Sequence, residues 1–200
     1  MRSCLVIFFF SFATMAQTRS VSLEFKPVMH DKMIAVFKFY VSDISFSSHG
    51  KTVFSAPDTY FLIDAADNES RYRTLQIPQD CKFDAVTFTV GIDAKTNEKG
   101  IGDGDLDPLH GMYWAWQSGY INLKLEGQRN GKPFEFHLGG FQQPYLACRP
   151  VTLSAGEEHM VIFADPLRML EKIPDETPNV MSPGDDAVKL SELAVEMFYR

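Results

Sequence analysis

Alternation of apolar and polar residues dominates the chain. Phe37, Phe39 and Val41 alternate with Lys38, Tyr40 and Ser42, the period of a strand with one buried face. β-Branched and aromatic runs of strand length recur at Val21–Lys26, Val36–Ser47, Tyr60–Asp64, Tyr72–Ile77, Phe83–Asp93, Val151–Leu153 and His159–Phe163. The stretch YINLKLEGQRNGKPFEFHLGG reads as a hairpin turning at Asn130-Gly131, the pair that a type I′ turn favours. A turn there sets Leu125 opposite Phe136 and Leu123 opposite Leu138 on one apolar face. His137 then falls on the other face, across from Lys124 and flanked by Glu135 and Gly139.

Helical spacing is confined to the end of the chain. Asp165-Pro166 opens a short helix running to about Lys172. After a polar, proline-containing linker at Pro174–Val180, Ser182 is placed as an N-cap with Pro183 at the first helical position and Asp185 at the third. Val188, Leu190, Leu193, Ala194 and Met197 give this second helix, about 182–199, a broad apolar stripe. Between Asp93 and the aromatic stretch lies AKTNEKGIGDGDLDPLHG, too rich in Gly and Asp to pair as a strand. The pattern predicts an all-β fold, an antiparallel β-sandwich with one or two short C-terminal helices, in a single domain over residues 17–200.

The first residues change the compartment. MRSCLVIFFFSFATMAQ carries Arg2, an apolar run from about Leu5 to Phe12, and small residues before Ala16. This is the layout of a secretory signal peptide over residues 1–16. Its apolar run is far short of the roughly 20 residues a membrane span needs, and no second hydrophobic span follows. The mature chain is therefore expected to be periplasmic or secreted, with no membrane span. Cys81 and Cys148 are then the remaining cysteines, and an oxidising compartment predicts a disulfide between them. A net charge of −7, with no run of Lys and Arg, argues against nucleic acid and anionic membrane as partners.

Few residues advertise chemistry. The chain has no GxSxG, HExxH, P-loop or GxGxxG signature, so no enzyme class is indicated. Asp103, Asp105 and Asp107 are spaced two apart, as in calcium loops, where alternating carboxylates converge on one ion. Asp93 and Asn97 are candidate further ligands. Pro108 replaces the glycine an EF-hand requires, and a solvated acidic turn is the commoner use of such a run. His30, His49, His110, His137 and His159 lack any partner at short ligand spacing, so a metal site would have to form across strands. His137 stands out through its non-core face and the Gly139-Gly140 pair beside it. Both tryptophans, Trp114 and Trp116, fall within GMYWAWQSGYI. Extended, Met112, Trp114 and Trp116 share a face, which reads as an aromatic core plug, with a stacking platform for sugar or a redox-active tryptophan as the alternatives. A straight strand would hold Trp116 about 26 Å from Lys124 at about 3.3 Å per residue, so the chain must turn back near Gly119 if Trp116 and His137 are to share one ion.

The run GDLDPLHGMYWAWQSGYINLKLEG, with FEFHLGG after it, resembles the MbnP-like family, exported copper-associated proteins related to MopE. FKFYVSDISF, YFLID and VMSPGDDAVKLSELAVEMF are also similar. The resemblance implies a tryptophan oxidised to kynurenine by a dihaem cytochrome c peroxidase of the MbnH type, with an outer-membrane receptor as a further candidate partner. The opened side chain, with histidines, contributes to a copper site: kynurenine has an aniline nitrogen and a ketone, and imidazole suits copper. Carried over, Trp114 and Trp116 are candidates for the oxidised position, Trp116 being preferred, and His137 is the first histidine ligand. A histidine two residues after the modified tryptophan has no counterpart, since Ser118 stands there. A first-strand histidine is replaced by Phe25-Lys26-Pro27, leaving His30 as a displaced substitute.

Two main readings follow. One is an exported copper-binding protein acting in acquisition or storage, itself modified rather than catalytic. The other is a surface β-sandwich that binds a glycan or a protein, with calcium stabilising the loop 93–107. A purely structural module, its tryptophans filling the core, is a third.

Overall fold

A computed structural model describes residues 17–57, 59–117 and 119–200; the signal peptide expected over residues 1–16 lies outside them. Twelve strands occur in chain order: β1 (Thr18–Pro27), β2 (Ile34–Ser48), β3 (Lys51–Ser55), β4 (Phe61–Asp64), β5 (Tyr72–Pro78), β6 (Ala85–Val90), β7 (Tyr113–Trp114), β8 (Gly119–Arg129), β9 (Lys132–Gly139), β10 (Arg149–Ser154), β11 (His159–Ala164) and β12 (Phe198–Tyr199). They form two sheets. The smaller has the order β12-β11-β1-β5; the larger runs β10-β6-β2-β8-β7, with β3 and β4 also pairing β2 and β9 pairing β8. The expected sandwich is present, with one departure from antiparallel pairing: β1 runs parallel to β11.

Inward-facing rings fill the space between the sheets. Phe25 meets Phe88 edge-on at 5.4 Å, and Phe198 meets both Phe39 and Phe88 at 5.2 and 5.4 Å. These are the offset geometries aromatic quadrupoles favour. The hairpin register is the one its turn predicts: Leu125 pairs Phe136, Leu123 pairs Leu138 and Lys124 pairs His137. Asn130 and Gly131 both have positive φ, 52° and 76°, as a type I′ turn requires.

Helices are short. α1 (Ala94–Lys99) lies inside the stretch expected to be loop, where Asp93 caps it by accepting from the Thr96 N–H. α2 (Leu167–Leu170) starts where expected. α3 (Asp185–Ala194) begins after Gly184, with no side-chain cap, rather than at Ser182. It gives way to a 3-10 turn at Val195–Met197, and the tail ends as β12 instead of continuing helical to 199. The β-branched and aromatic tail pairs Tyr199 with Phe163 and Phe198 with Ala164, which buries Phe198 in the core. Among the described residues, no helix is long and apolar enough to cross a membrane.

The predicted disulfide is not formed. Cys81 and Cys148 are both free thiols. On the β6–β10 ladder Arg149 pairs Val90 and Ser154 pairs Ala85, so Cys148 sits past one end and Cys81 four residues beyond the other. The ladder alone spans roughly 17 Å at about 3.4 Å per residue, well beyond the about 7 Å Cα separation a disulfide tolerates.

Candidate functional site

The outer face of the larger sheet carries the polar members of each alternation: Lys38 and Tyr40 on β2, Asn122, Lys124 and Glu126 on β8, and Glu135, His137 and Gly139 on β9. Their neighbours Phe37, Phe39, Leu123, Leu125, Phe136 and Leu138 point into the core. A segment between β6 and β8 folds back over part of this outer face and makes a second apolar cluster there, with Tyr40, Met112, Trp114 and Tyr120 among its members. Side chains pin it down. Asn122 accepts from the Ile92 N–H at 3.0 Å, and Asn97 donates to the Ile92 carbonyl while accepting from the Tyr120 N–H at 2.9 Å. The Tyr40 hydroxyl donates to the Asp105 carbonyl at 2.9 Å, and the Tyr120 hydroxyl donates to that of Leu106 at 3.0 Å.

This segment brings Trp114 onto the strand face that carries His137. β7 pairs antiparallel to β8, Tyr113 with Tyr120 and Trp114 with Gly119, so the chain does reverse before Gly119. Gly139 is required by what lies on it: a Cβ there would meet the Trp114 Cζ3 at 2.6 Å and the Tyr120 carbonyl oxygen at 2.6 Å. The benzo edge of Trp114 therefore rests on the glycine two residues along β9 from His137, on the same face. Trp114 is only 5% exposed, and its indole Nε1 is buried without a hydrogen-bond partner among the described residues. The expected common face of Met112, Trp114 and Trp116 does not hold. β7 ends at Trp114, and the turn that follows swings Trp116 out to 67% exposure, its ring centroid 6.3 Å from that of Trp114.

His137 itself is buried. Its Nε2 lies 2.7 Å from Oε1 of Glu126, to which Lys124 Nζ also reaches at 3.3 Å. A carboxylate acceptor at Nε2 fixes the proton there and leaves Nδ1 as the nitrogen with a free lone pair. Burial depresses the imidazole pKa below its ordinary value, with Lys124 adding to the effect and Glu126 opposing it. Burial raises the Glu126 carboxyl, but the hydrogen bond from His137 and the charge of Lys124 outweigh it and hold it below the usual range. The neutral ring and ionised carboxylate are the states a carboxylate–histidine–metal unit uses. The alternation had placed His137; its partner Glu126 was missed, although the same register puts it diagonal to His137, one alternation beyond Lys124.

Other candidates lie elsewhere. His30 pairs with Asp165 at 2.8 Å at the end of the smaller sheet. His49 occupies the β2–β3 turn with φ 48°, His110 Nε2 contacts the Gly104 carbonyl oxygen at 3.0 Å, and His159 lies beside Ser22 and Glu24. Of the acidic loop, Asp93 accepts from the Tyr60 hydroxyl and caps α1. Asp105 accepts from the Leu62 N–H and lies 3.3 Å from Arg73. Asp107 caps a 3-10 turn by accepting from the Leu109 N–H, and Asp103 caps another without a side-chain bond. Asp93, Asp105, Asp107 and Asn97 each serve a separate local partner. Among the described residues no three His, Cys, Asp or Glu side chains are gathered as a metal site.

A model of the MbnP family matches residues 9–182. Among solved structures, MbnP from Methylosinus trichosporium superposes with a TM-score of 0.60, at 15% identity, over 84% of this chain and 83% of that one. At that identity the likeness speaks for the fold. No curated protein matches the chain.

Proposed function

Because the chain belongs to the MbnP family, we propose that it is an exported copper-binding protein whose metal sits on the outer face of the larger sheet. His137 is the imidazole ligand through Nδ1, and Glu126 holds the ring. The observation that carries this reading is Trp114, packed on Gly139 beside His137 with its Nε1 buried and unpartnered. An indole N–H left without an acceptor costs about 1–3 kcal/mol. Conversion of Trp114 to kynurenine replaces it with an aniline nitrogen that has a lone pair to offer. We assign the modification to Trp114 on these grounds, with exposed Trp116 as the ring a partner protein meets first.

The donors on this face suit copper in kind: one neutral imidazole, one aromatic amine and surroundings that include the Met112 thioether. Bound there, copper would be held for acquisition or storage. The chain supplies no oxidant; a dihaem peroxidase partner uses two molecules of hydrogen peroxide, reduced to two waters, to cleave the indole C2–C3 bond to N-formylkynurenine. Hydrolysis then releases formate and leaves kynurenine. The protein is thus a substrate of that enzyme rather than a catalyst.

The test is peptide mass spectrometry of protein co-expressed with such a peroxidase, together with copper titration. The expected result is gain of one oxygen and loss of one carbon at residue 114, with copper uptake abolished by Trp114→Phe and by His137→Ala. Modification at 116 alone would overturn the assignment. An unmodified chain that takes up no copper would overturn the function.

A further inference from the structure

On the side of Trp114 nearest the chain reversal lies a cavity of about 440 Å³. Its wall is the segment after β9. Gly140 adopts φ +132°, and a Cβ there would come within 2.2 Å of the Tyr145 carbonyl oxygen. The loop is closed by the Ala147 N–H donating to the Gly140 carbonyl at 3.0 Å and the Tyr145 N–H donating to that of Gln142 at 2.8 Å. Opposite, the Phe141 ring lies against Gly119, close enough that a Cβ there would touch it at 3.4 Å. The cavity is thus a built concavity with aromatic surfaces from Trp114, Phe141 and Tyr145 and carboxamides from Gln117, Gln142 and Gln143.

Two properties of the lining select a ligand. No acidic or basic side chain lines it, so nothing compensates a charged group. And two of its residues hold buried N–H donors with no acceptor among the described residues, Trp114 Nε1 and Gln117 Nε2. Buried donors without partners are costly and uncommon, and a small rotation of either lining side chain toward the cavity would let an oxygen acceptor from outside the chain satisfy it. Aromatic faces stack on the C–H face of a pyranose, while amides match hydroxyl groups as both donors and acceptors. We infer that this cavity binds a small neutral saccharide, with its ring against Tyr145 and Phe141 and its oxygens accepting from Trp114 and Gln117. This site uses the intact Trp114 indole and none of His137, Glu126 or Lys124, so it belongs to the chain before any conversion of Trp114, and its failure would leave the copper reading standing.

Metal-free protein made without a peroxidase partner tests it, by titration calorimetry and saturation-transfer NMR with N-acetylglucosamine, maltose and cellobiose, and with sodium acetate and glutamate as charged comparisons. Saturable binding of at least one of the sugars is expected, weakened about tenfold by removing one stacking face or one donor in Tyr145→Ala and Gln117→Ala. Trp116→Phe, outside the lining, should leave it unchanged, with melting curves showing that each variant folds. No saturable sugar binding, sugar binding equally strong in folded Tyr145→Ala and Gln117→Ala, or selective binding of acetate or glutamate would each overturn the inference.

Discussion

Two histidine–carboxylate pairs of nearly equal length differ in setting: His137–Glu126 on the larger sheet at 2.7 Å and His30–Asp165 beyond the strand ends of the smaller at 2.8 Å. Distance does not separate them, but surroundings do. The His137 side chain is 8% exposed and that of His30 is 29%. Glu126 has no structural task besides holding His137 and Lys124, whereas Asp165 also accepts from the Leu167 N–H at 3.0 Å and so starts α2. One pair is buried on the outer face of the larger sheet, with Nδ1 outside the bond to Glu126. The other is a surface clasp at a helix start. A buried histidine whose carboxylate partner engages only side chains is a stronger metal candidate than an exposed one whose partner also starts a helix.

Substitutions can break this contrast, beginning with the largest effect. Gly139→Val should displace Trp114 and destabilise the fold by about 1–3 kcal/mol, the usual cost of overpacking, read as a lower denaturation midpoint; Gly127, on the neighbouring strand, does not face Trp114 and offers no such readout. His137→Ala should cost about 1–3 kcal/mol through loss of the charged hydrogen bond and abolish copper uptake. Glu126→Gln should keep the fold and weaken copper by about 10–100-fold, the usual cost of losing an outer-shell partner, in a competition titration.

Acid should weaken the His137–Glu126 pair. Because the folded His137 pKa is depressed from 6.5, the unfolded chain takes up the proton first. This contribution is therefore intact above pH 6.5 and lost as pH falls through the folded value. Glu126, also depressed, from 4.5, adds a further loss at lower pH. Denaturation midpoints measured between pH 7.5 and 5 should decline for the wild type, and the decline should flatten in His137→Gln. His30→Ala should change least, within about 1 kcal/mol, with copper uptake unaffected, because Asp165 retains its bond to Leu167.

Local chemistry made the hairpin legible: Asn130-Gly131 fixes the turn, the turn fixes the register, and the register puts His137 opposite Lys124. Strands with clean alternation, such as β2, were equally readable. KTVFS was not, because its five residues are mostly exposed and carry only a weak pattern; pairing with the long β2 makes it a strand. The acidic stretch left a solvated turn and a calcium loop both open, because spacing alone cannot tell carboxylates aimed at one point from carboxylates capping successive turns. Trp116 was misplaced because extension was assumed where β7 stops after two residues. The cysteine pair failed because compartment says nothing of distance. Glu126 was within reach of the same register argument that placed His137.

The parallel pairing of β1 with β11 has a consequence for how the chain reaches this state. Ser22 and His159 are 137 positions apart, yet β1 is an interior strand of its sheet, flanked by β5 and β11. During synthesis β1 therefore waits for one of its two neighbours until some 137 further positions have been made. Its remaining edge stays open until residues 159–164 arrive, and such non-local closure is slow. The local hairpin at Asn130-Gly131 can therefore form early, whereas the smaller sheet is completed only once residues 159–164 are in place.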